Sequence, residues 1–194
     1  MEEELYKVLS DLSIEFQKFE HEPVFTCETS EDFYKRNNLV GARCKTLFLR
    51  NRKGDQHYLA IVEADRRVDI KALTDFFDAG QKMSFASPER MEKYLGVTPG
   101  SVTPFALIHP ESTGIPVVVD KGVLSHEWVH FHPLRNTATL RLKKDDFLKF
   151  LESRENEVSF YEFGLLSKSP ICSVPSFIDL AAIFCSSVNH FSGT

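Results

Sequence analysis

Three stretches of the chain carry residues whose types could support catalysis. Lys45 leads, through Thr46, into the apolar Leu47-Phe48-Leu49, and a lysine in this position could bind a phosphate as a compact point charge. A glycine and a proline bound a short loop at 100–104, so its amides could be held toward a carbonyl oxygen. His132 stands beside Pro133 at the start of a loop, where side chains are often positioned for function. Each pattern also has an ordinary interpretation: a solvated charge, a simple turn and a surface histidine.

A fourth stretch, His126-Glu127-Trp128-Val129-His130, matches the H-E-x-x-H pattern of zinc peptidases. That chemistry requires a helix, which places both histidines on one face about a turn apart. The aromatic and β-branched residues around this string instead predict a strand, in which about 13 Å would separate the two histidines. Such a strand would turn His126, His130 and His132 to one face. The sequence therefore predicts no metal site here, and a zinc peptidase is retained as an alternative.

Other common catalytic patterns are missing from the sequence. It contains no G-x-S-x-G elbow, no P-loop and no G-x-G-x-x-G string. The four cysteines, at positions 27, 44, 172 and 185, show no C-x-x-C spacing. Neither a covalent triad nor a nucleotide fold is predicted, and no cofactor is implied.

The basic residues are concentrated in one segment rather than spread over the chain. Arg43 and Lys45 would share one face of a strand, whereas Arg50, Arg52 and Lys53 would crowd the end of a hairpin. A solvated charged rim is the ordinary interpretation. The net charge of −5 argues against sequence-independent coating of nucleic acid. A local basic patch that binds one RNA end is compatible with that charge.

The elements that position these residues alternate between helical and extended patterns. The first half of the chain predicts a helix with the apolar stripe Leu5, Val8, Leu9 and Leu12, followed by a strand at 14–21. It also predicts a polar helix at 26–38 and a hairpin of strands at 44–50 and 56–63. Asp69 caps a further helix that stops at Gly80.

The second half continues the alternation. Ser87 and Pro88 open a helix that ends before Gly96, and residues 97–104 form a loop. Strands are predicted at 105–108, 115–120 and 137–142, and Asp145 caps the last helix. Helices interleaved with mixed strands predict an α/β or α+β domain with one central sheet.

Domain limits and compartment follow from composition. Charge nearly disappears after about Gly164, so we predict one domain over 1–162 and a tail of unknown role over 163–194. The apolar run at 177–188 is too short to span a bilayer. The isolated cysteines and the acidic start, Met1-Glu2-Glu3-Glu4, favour a cytoplasmic protein.

Four strings in this sequence occur in an order that resembles a known family. They are CKTLFL at 44–49, SFASPER at 84–90, LGVTPGSVTPF at 95–105 and FHPLRNTAT at 131–139. Together they resemble the superfamily of YbaK and the prolyl-tRNA synthetase editing domain. The likeness covers about residues 1–162 and is greatest to the free-standing branch of Ala-tRNA(Pro) deacylases.

The resemblance implies a fold and an activity. The fold would be a single YbaK-like α/β (α+β mixed) domain with a central mixed, largely antiparallel sheet flanked by helices. The activity would be metal-independent hydrolysis of the ester in Ala-tRNA(Pro), assisted by the ribose hydroxyl of the substrate. The implied partners are the tRNA(Pro) acceptor end carrying alanine and, in addition, prolyl-tRNA synthetase, with no DNA and no membrane.

The same resemblance implies site residues. Lys45 would bind the terminal adenosine or its phosphate, the 100–104 loop would hold the ester carbonyl, and His132 and Asn136 would line the pocket. The expected catalytic set is Lys45, Gly100, Ser101, Val102, Thr103, Pro104 and His132. The expected substrate-binding set is Arg43, Thr46, Phe48, Arg50, Asn136 and Thr137. The family commonly has Asn where this chain has Thr46, and a hydroxyl lacks the paired donor and acceptor of an amide.

Beside the zinc peptidase, two further alternatives to an Ala-tRNA(Pro) deacylase stay open at this stage. A catalytically silent aminoacyl-tRNA-binding module, docked on a synthetase, would keep Lys45 without positioning the carbonyl. Deacylases for cysteine- or serine-charged tRNA share this scaffold and differ in pocket shape, since the pocket admits or excludes the aminoacyl group by size.

Overall fold

One mixed sheet organises the protein. The computed structural model describes residues 1–23, 33–66 and 68–163. The strands within these ranges are β1 Phe16–Glu20, β2 Ala42–Arg50, β3 His57–Glu63, β4 Ser84–Phe85, β5 Val117–Asp120, β6 Trp128–Phe131, β7 Ala138–Lys143 and β8 Val158–Tyr161. Their order across the sheet is β1-β7-β6-β2-β3-β5-β8, and the short β4 pairs with β2.

The sheet combines two kinds of pairing. Among the described strands, antiparallel pairs join β1 to β7, β6 to β7, β2 to β3 and β2 to β4. Parallel pairs join β2 to β6, β3 to β5 and β5 to β8. The predicted fold class, a mixed and largely antiparallel sheet flanked by helices, is confirmed.

Helices begin and end at residues suited to those positions. The described α-helices are α1 Glu2–Asp11, α2 Ile70–Phe76, α3 Pro88–Leu95 and α4 Lys144–Glu152. Asp69 accepts a hydrogen bond from the Lys71 amide at 2.8 Å, as an N-cap residue should. Gly96 follows α3 with φ 62°, the left-handed conformation that glycine adopts most readily. No helix in the described ranges has the length and apolar character needed to cross a membrane.

The core lies on both faces of the sheet. On one face, side chains of β3, β6 and α4 form a large cluster that includes Leu59, Ile61, Phe131 and Phe147. The other face carries a smaller cluster against α2, with Leu49, Tyr58, Val62, Leu73 and Phe163. Alternate residues of β2 and β3 supply the two clusters, which is the expected result of the two-residue period of a strand.

Two predicted features need correction. Residues 105–108 are not a strand but part of a 3₁₀-helix, Pro104–Ile108. Pro104 has a φ suited to the first helical position, and the Thr103 hydroxyl accepts a hydrogen bond from the Phe105 amide at 3.4 Å. Asp145 lies in the first turn of α4 rather than at its cap, because Lys143 is the N-cap residue and the helix starts at Lys144.

Some predictions lie outside the described residues. Of the predicted polar helix at 26–38, residues 24–32 are not described, and residues 33–36 are helical. The tail beyond Phe163 is likewise outside the described ranges. The limits of 1–162 and 163–194 therefore stay predictions. Phe163 itself is buried in the smaller cluster.

Candidate active site

The site is built around a strand that is only partly paired on one edge. The β3 edge of β2 is paired from Cys44 to Arg50. On the opposite edge, β6 pairs with β2 at its start, opposite residues 42–43, and β4 pairs with it at its end, opposite residues 49–50. The Phe48 carbonyl also accepts from the Ala86 amide, which follows β4. Residues 44–47 therefore have no strand partner on this edge within the described ranges, and we call this stretch of edge, between β6 and β4, the opening.

The hydrogen-bonding pattern identifies which main-chain groups face this opening. Arg43 O accepts from the Ala64 amide on the β3 side, and Phe48 O accepts from the Ala86 amide on the opposite side. Because an antiparallel ladder alternates along a strand, the N–H and C=O of Thr46 point to the same edge as those of Phe48. The main chain of Thr46 therefore faces the opening, while its side chain is buried.

Lys45 lies beside this opening on the other face of β2 from Thr46. Its ammonium donates to Ala64 O at 3.0 Å and also to Arg66 O. The side chain is half-buried. Two main-chain carbonyls of the turn after β3 therefore fix the position of this charge.

His132 directly follows β6, the strand next to the start of β2, and lies on the same face as Lys45. Arg43 lies opposite His130 in the parallel pair of β2 and β6. Lys45 and His132 each lie two residues further along, so the alternation of side chains turns both to the face of Arg43 and His130. Two residues predicted separately from the sequence are thus brought to one face of two adjacent strands.

The hydrogen bond of His132 sets its tautomer. Nδ1 lies 2.9 Å from Ala138 O, and a carbonyl oxygen can only accept, so Nδ1 carries the proton. Burial lowers the pKa of this imidazole, although the hydrogen bond to Ala138 opposes the shift. The neutral ring then presents the lone pair of Nε2, which can accept a proton from a water or hydroxyl group.

The glycine loop lies against the β6–β7 connection. Gly100 has φ 87°, and a Cβ placed there would lie 3.6 Å from Asn136 Nδ2. Ser101 and Thr103 are buried, and Pro104 is buried at the start of its 3₁₀-helix. Val102 packs on the large core cluster. What the loop can offer a ligand is therefore its main chain around Gly100, with the Asn136 amide beside it.

Three residues of the expected substrate-binding set are engaged elsewhere. Phe48 is 1% exposed and stacks on His57, with ring centroids 5.2 Å apart. Arg50 bonds the Asn51 and Arg52 carbonyls at the hairpin end, about 23 Å along the strand from Arg43. The Thr137 hydroxyl accepts from Arg135. Phe48 is a core residue here, and Arg50 does not join Arg43 in one basic surface.

Arg43 belongs to a group of side chains that are distant in sequence and could not be assembled from sequence patterns. Its guanidinium donates to Asp65 at 2.8 Å and lies over the Tyr34 ring, 5.8 Å from the centroid. Tyr34 in turn contacts His130 edge-on, with centroids 5.1 Å apart. A shallow cavity of about 400 Å³ lies beside this group and is lined by Tyr34, Lys35, Asn38, Leu39, Val40, Gly41 and Arg43.

The H-E-x-x-H string is extended, as predicted. β6 begins at Trp128, so His126 lies before the strand and does not share its face. His126 Nε2 instead lies 2.9 Å from Glu63 Oε1, and His130 Nδ1 donates to Ala42 O at 3.0 Å. Within the described ranges, no group of three His, Cys, Asp or Glu side chains is placed to hold a metal ion.

A cation, a neutral imidazole and a glycine loop around an open strand edge suit an ester hydrolase, because each can act on a polar carbonyl or its attacking oxygen. The family comparison agrees with that class. Residues 21–150 match the aminoacyl-tRNA editing domain family, and the chain belongs to it. The prediction of an aminoacyl-tRNA hydrolase of this family is confirmed.

Several named proteins are similar to this chain. It is 38% identical over 148 residues to the prolyl-tRNA editing protein ProX of Acetoanaerobium sticklandii, covering 76% of this chain and 88% of that one. It is 33% identical over 158 residues to the prolyl-tRNA synthetase associated domain-containing protein 1 of Bos taurus, covering 80% and 91%. It is 30% identical over 109 residues to the multifunctional Ser/Thr-tRNA deacylase ProXp-y of Escherichia coli K12, covering 55% and 63%.

A solved structure supports the fold alone. The crystal structure of a proposed trans-editing enzyme for prolyl tRNA synthetase superposes with a TM-score of 0.63 at 20% identity, covering 84% of this chain and 97% of that one. Identity this low establishes a shared architecture, and function must be argued from the site.

Proposed function

We propose that this protein removes alanine from mischarged Ala-tRNA(Pro) and so protects the fidelity of proline decoding. The observation that carries the proposal is the placement of Lys45 and His132 on one face of adjacent strands, beside the open edge of β2. Similarity to a protein named for prolyl-tRNA editing supports tRNA(Pro) as the tRNA of the substrate. The alanine specificity rests on the resemblance described above.

In this proposal the 3′ end of the tRNA enters the opening between β6 and β4. The Thr46 main chain, which faces the opening, would hydrogen-bond the terminal nucleotide, and the nearby Lys45 ammonium would attract its phosphate. The ester carbonyl would face the main chain at Gly100, whose missing side chain allows a close approach. An anion that develops on this oxygen would be stabilised by main-chain amides.

The reaction is then a direct hydrolysis. A water oxygen attacks the carbonyl carbon, the ester C–O bond breaks, and the ribose oxygen leaves with a proton. His132 Nε2 would accept a hydrogen bond from the attacking water or from the free ribose hydroxyl, which orients that group. The products are free alanine and uncharged tRNA, and no covalent enzyme intermediate is required.

The decisive experiment measures hydrolysis of Ala-tRNA(Pro) by the full chain in EDTA, with Pro-, Cys- and Ser-charged tRNA(Pro) in parallel. We expect rapid loss of alanine and retention of proline, because a small pocket excludes the bulkier cognate residue. Faster loss of serine or cysteine would replace the alanine assignment and keep the editing reaction. Tight binding of Ala-tRNA(Pro) without turnover would instead establish the silent binding module.

Association with prolyl-tRNA synthetase is a separate part of the proposal. It is supported by the names of relatives such as the Bos taurus protein, which refer to the synthetase. Sedimentation of the chain with purified prolyl-tRNA synthetase, with and without tRNA(Pro), tests it. A complex that forms only with tRNA present would mean that the two proteins share a substrate and not a protein interface.

A further inference from the structure

A cluster of charged side chains lies behind the turn that holds Lys45. We call Arg66, Glu63 and Asp120 the Arg66 cluster. Arg66 Nε lies 2.7 Å from Glu63 Oε2 and 3.1 Å from Asp120 Oδ2. Arg66 Nη1 also donates to Phe163 O. One guanidinium therefore joins the ends of β3 and β5 to the last described residue of the chain.

The charges of the Arg66 cluster stabilise one another because the cluster is largely buried. Asp120 is 0% exposed, and its Oδ1 accepts from the Gly122 amide at 2.9 Å. Its Oδ2 accepts no hydrogen bond from the described residues, so Arg66 is its charge partner. Although burial alone would raise it, hydrogen bonds from Arg66 and His126 hold the pKa of the Glu63 carboxyl below its usual value.

Gly122 shows how closely the cluster is packed. A Cβ at this position would overlap the Arg66 guanidinium and the Glu63 carboxylate. The backbone of Gly122 has φ −59° and ψ −41°, a conformation open to any residue. A side chain at Gly122 would therefore displace the ends of Arg66 and Glu63, whereas the backbone itself would accept one.

The link to catalysis is the turn that follows β3. The Arg66 amide donates to Glu63 O at 3.1 Å, which closes the turn. The carbonyls of Ala64 and Arg66 in this turn are the acceptors of the Lys45 ammonium. Any change that moves the Arg66 side chain should move the two carbonyls and, with them, the Lys45 ammonium.

We infer that Arg66 is a positioning residue for deacylation, fixing through Glu63 and Asp120 the turn that orients Lys45. The inference rests on the proposed function of the opening beside β2. In this inference the Arg66 cluster holds the turn whose carbonyls bind the Lys45 ammonium. The catalytic contacts themselves remain with Lys45, His132 and the glycine loop.

The test compares Arg66→Gln with Arg90→Gln as a matched control. Arg90 also bonds a main-chain carbonyl and a neighbouring side chain, Gly54 O and His57, but at the hairpin end of β3. We expect Arg66→Gln to lower kcat/KM for Ala-tRNA(Pro) by about tenfold to a hundredfold, as misplaced groups do. Arg90→Gln should keep the wild-type value, and Arg66→Lys should recover part of the loss.

A double-mutant cycle separates positioning from general weakening of the fold. In a Lys45→Ala background, adding Arg66→Gln should cause no further loss of kcat/KM, because the residue to be positioned is gone. An equal loss with and without Lys45 would overturn the inference, as would a wild-type rate for Arg66→Gln. Should Arg66→Gln not fold because Asp120 is left unpaired, Arg66→Gln with Asp120→Asn removes both charges and enters the same cycle.

A measurement that does not depend on enzyme activity tests this inference separately from the proposed function. Acetylation of Lys45 by dilute acetic anhydride, measured by mass spectrometry, reports how firmly its ammonium is held. We expect severalfold faster labelling of Lys45 in Arg66→Gln and in Gly122→Ala, and an unchanged rate in Arg90→Gln. Faster labelling in a chain that hydrolyses no aminoacyl-tRNA would refute the proposed function alone. Unchanged labelling in both variants would refute the role of Arg66.

Discussion

At the scale of single residues, Lys45 is a charge held in place by the protein itself. Its ammonium donates to two carbonyls of one turn, so little freedom remains to be lost when a substrate binds. We expect Lys45→Ala to lower kcat/KM for Ala-tRNA(Pro) by about a hundredfold, with an unchanged circular dichroism spectrum. Lys53→Ala, at the exposed tip of the hairpin, is the control and should keep the wild-type rate. Full activity of Lys45→Ala would remove it from the site.

His132 makes a second prediction, which concerns pH. Burial lowers the pKa of its imidazole, and the neutral form is the one that can accept a proton. We therefore expect kcat/KM to stay level near neutral pH and to fall only well below pH 6.5, where a solvated histidine would already be half protonated. His132→Asn should reduce the rate and abolish this acid limb. His109→Asn should preserve the limb, and its loss there would assign the titration elsewhere.

Residue types alone could indicate these two side chains but not their partners. Lys45 and His132 stand out by their position beside apolar strands and a loop. The carbonyls that hold Lys45 come from a turn 19 and 21 residues further along the chain. Phe48 shows a different error. The sequence predicts that it binds substrate because it belongs to the CKTLFL string at 44–49, but its side chain is buried in the core. A residue in a family motif is therefore not always accessible to a ligand.

At the scale of elements, the glycine loop allows a controlled prediction. Gly100 and Gly80 both have positive φ, 87° and 73°, but only Gly100 lies beside Asn136. Valine is strained in this conformation at either position. Gly100→Val should lose stability and most of its activity, because the side chain would block the approach of the ester. Gly80→Val should lose stability while its kcat stays close to wild type.

These variants are compared by urea unfolding and by kcat measured well below the temperature at which either one melts. Equal kcat values for the two variants would mean that the loop contributes only structure. A Gly100→Val protein with normal kcat and a raised KM would place the loop in substrate binding and not in the chemical step.

Local patterns predicted most elements, and pairing over long distances explains the rest. The hairpin of β2 and β3 could be read from two apolar runs and a polar turn. The strand predicted at 105–108 is a 3₁₀-helix because Pro104 and the Thr103 hydroxyl favour a helical start. The opening beside β2 could not be foreseen, since it depends on where β6 and β4, distant in sequence, stop pairing.

At the scale of the whole molecule, buried neutral histidines make stability depend on pH. Burial lowers the pKa of both His57 and His130 to about 4, and nearby Arg90 adds to the shift of His57. Because the unfolded chain binds these protons near pH 6.5, their contribution is present above that pH and is lost as the pH falls toward 4. The free energy of unfolding, measured by urea titration, should therefore fall between pH 6.5 and 4.5. The expected fall is up to about 1.4 kcal/mol per pH unit for each histidine.

The control for that prediction is a variant that lacks one titrating group. His57→Gln should show a shallower fall of stability over the same range, whatever its stability at pH 7. A slope equal to that of the wild type would mean that His57 is already protonated in the folded protein or is exposed to solvent. Measurements stay above pH 4.5 because the carboxylates begin to titrate below it.

The extent of the folded domain gives the last prediction. Phe163 is buried, and its carbonyl accepts from Arg66. A chain that ends after Phe163 should therefore melt at the same temperature as the full chain and deacylate at the same rate. Ending the chain after Val158 should lower both, because it removes most of β8 and Phe163. A loss of activity on removing residues 164–194 alone would show that the tail belongs to the enzyme.

The order of strands in the sheet also governs when the protein can form during synthesis. Phe16 pairs with Leu142, and Arg43 with His130, so both pairings wait for the last third of the described chain. Contacts between such distant positions slow folding. A nascent chain that has not yet emerged through β7 therefore has unpaired strand edges and lacks the pairings that assemble the candidate site. Such edges favour aggregation, so the interval before β7 emerges is the one in which a chaperone would protect the chain.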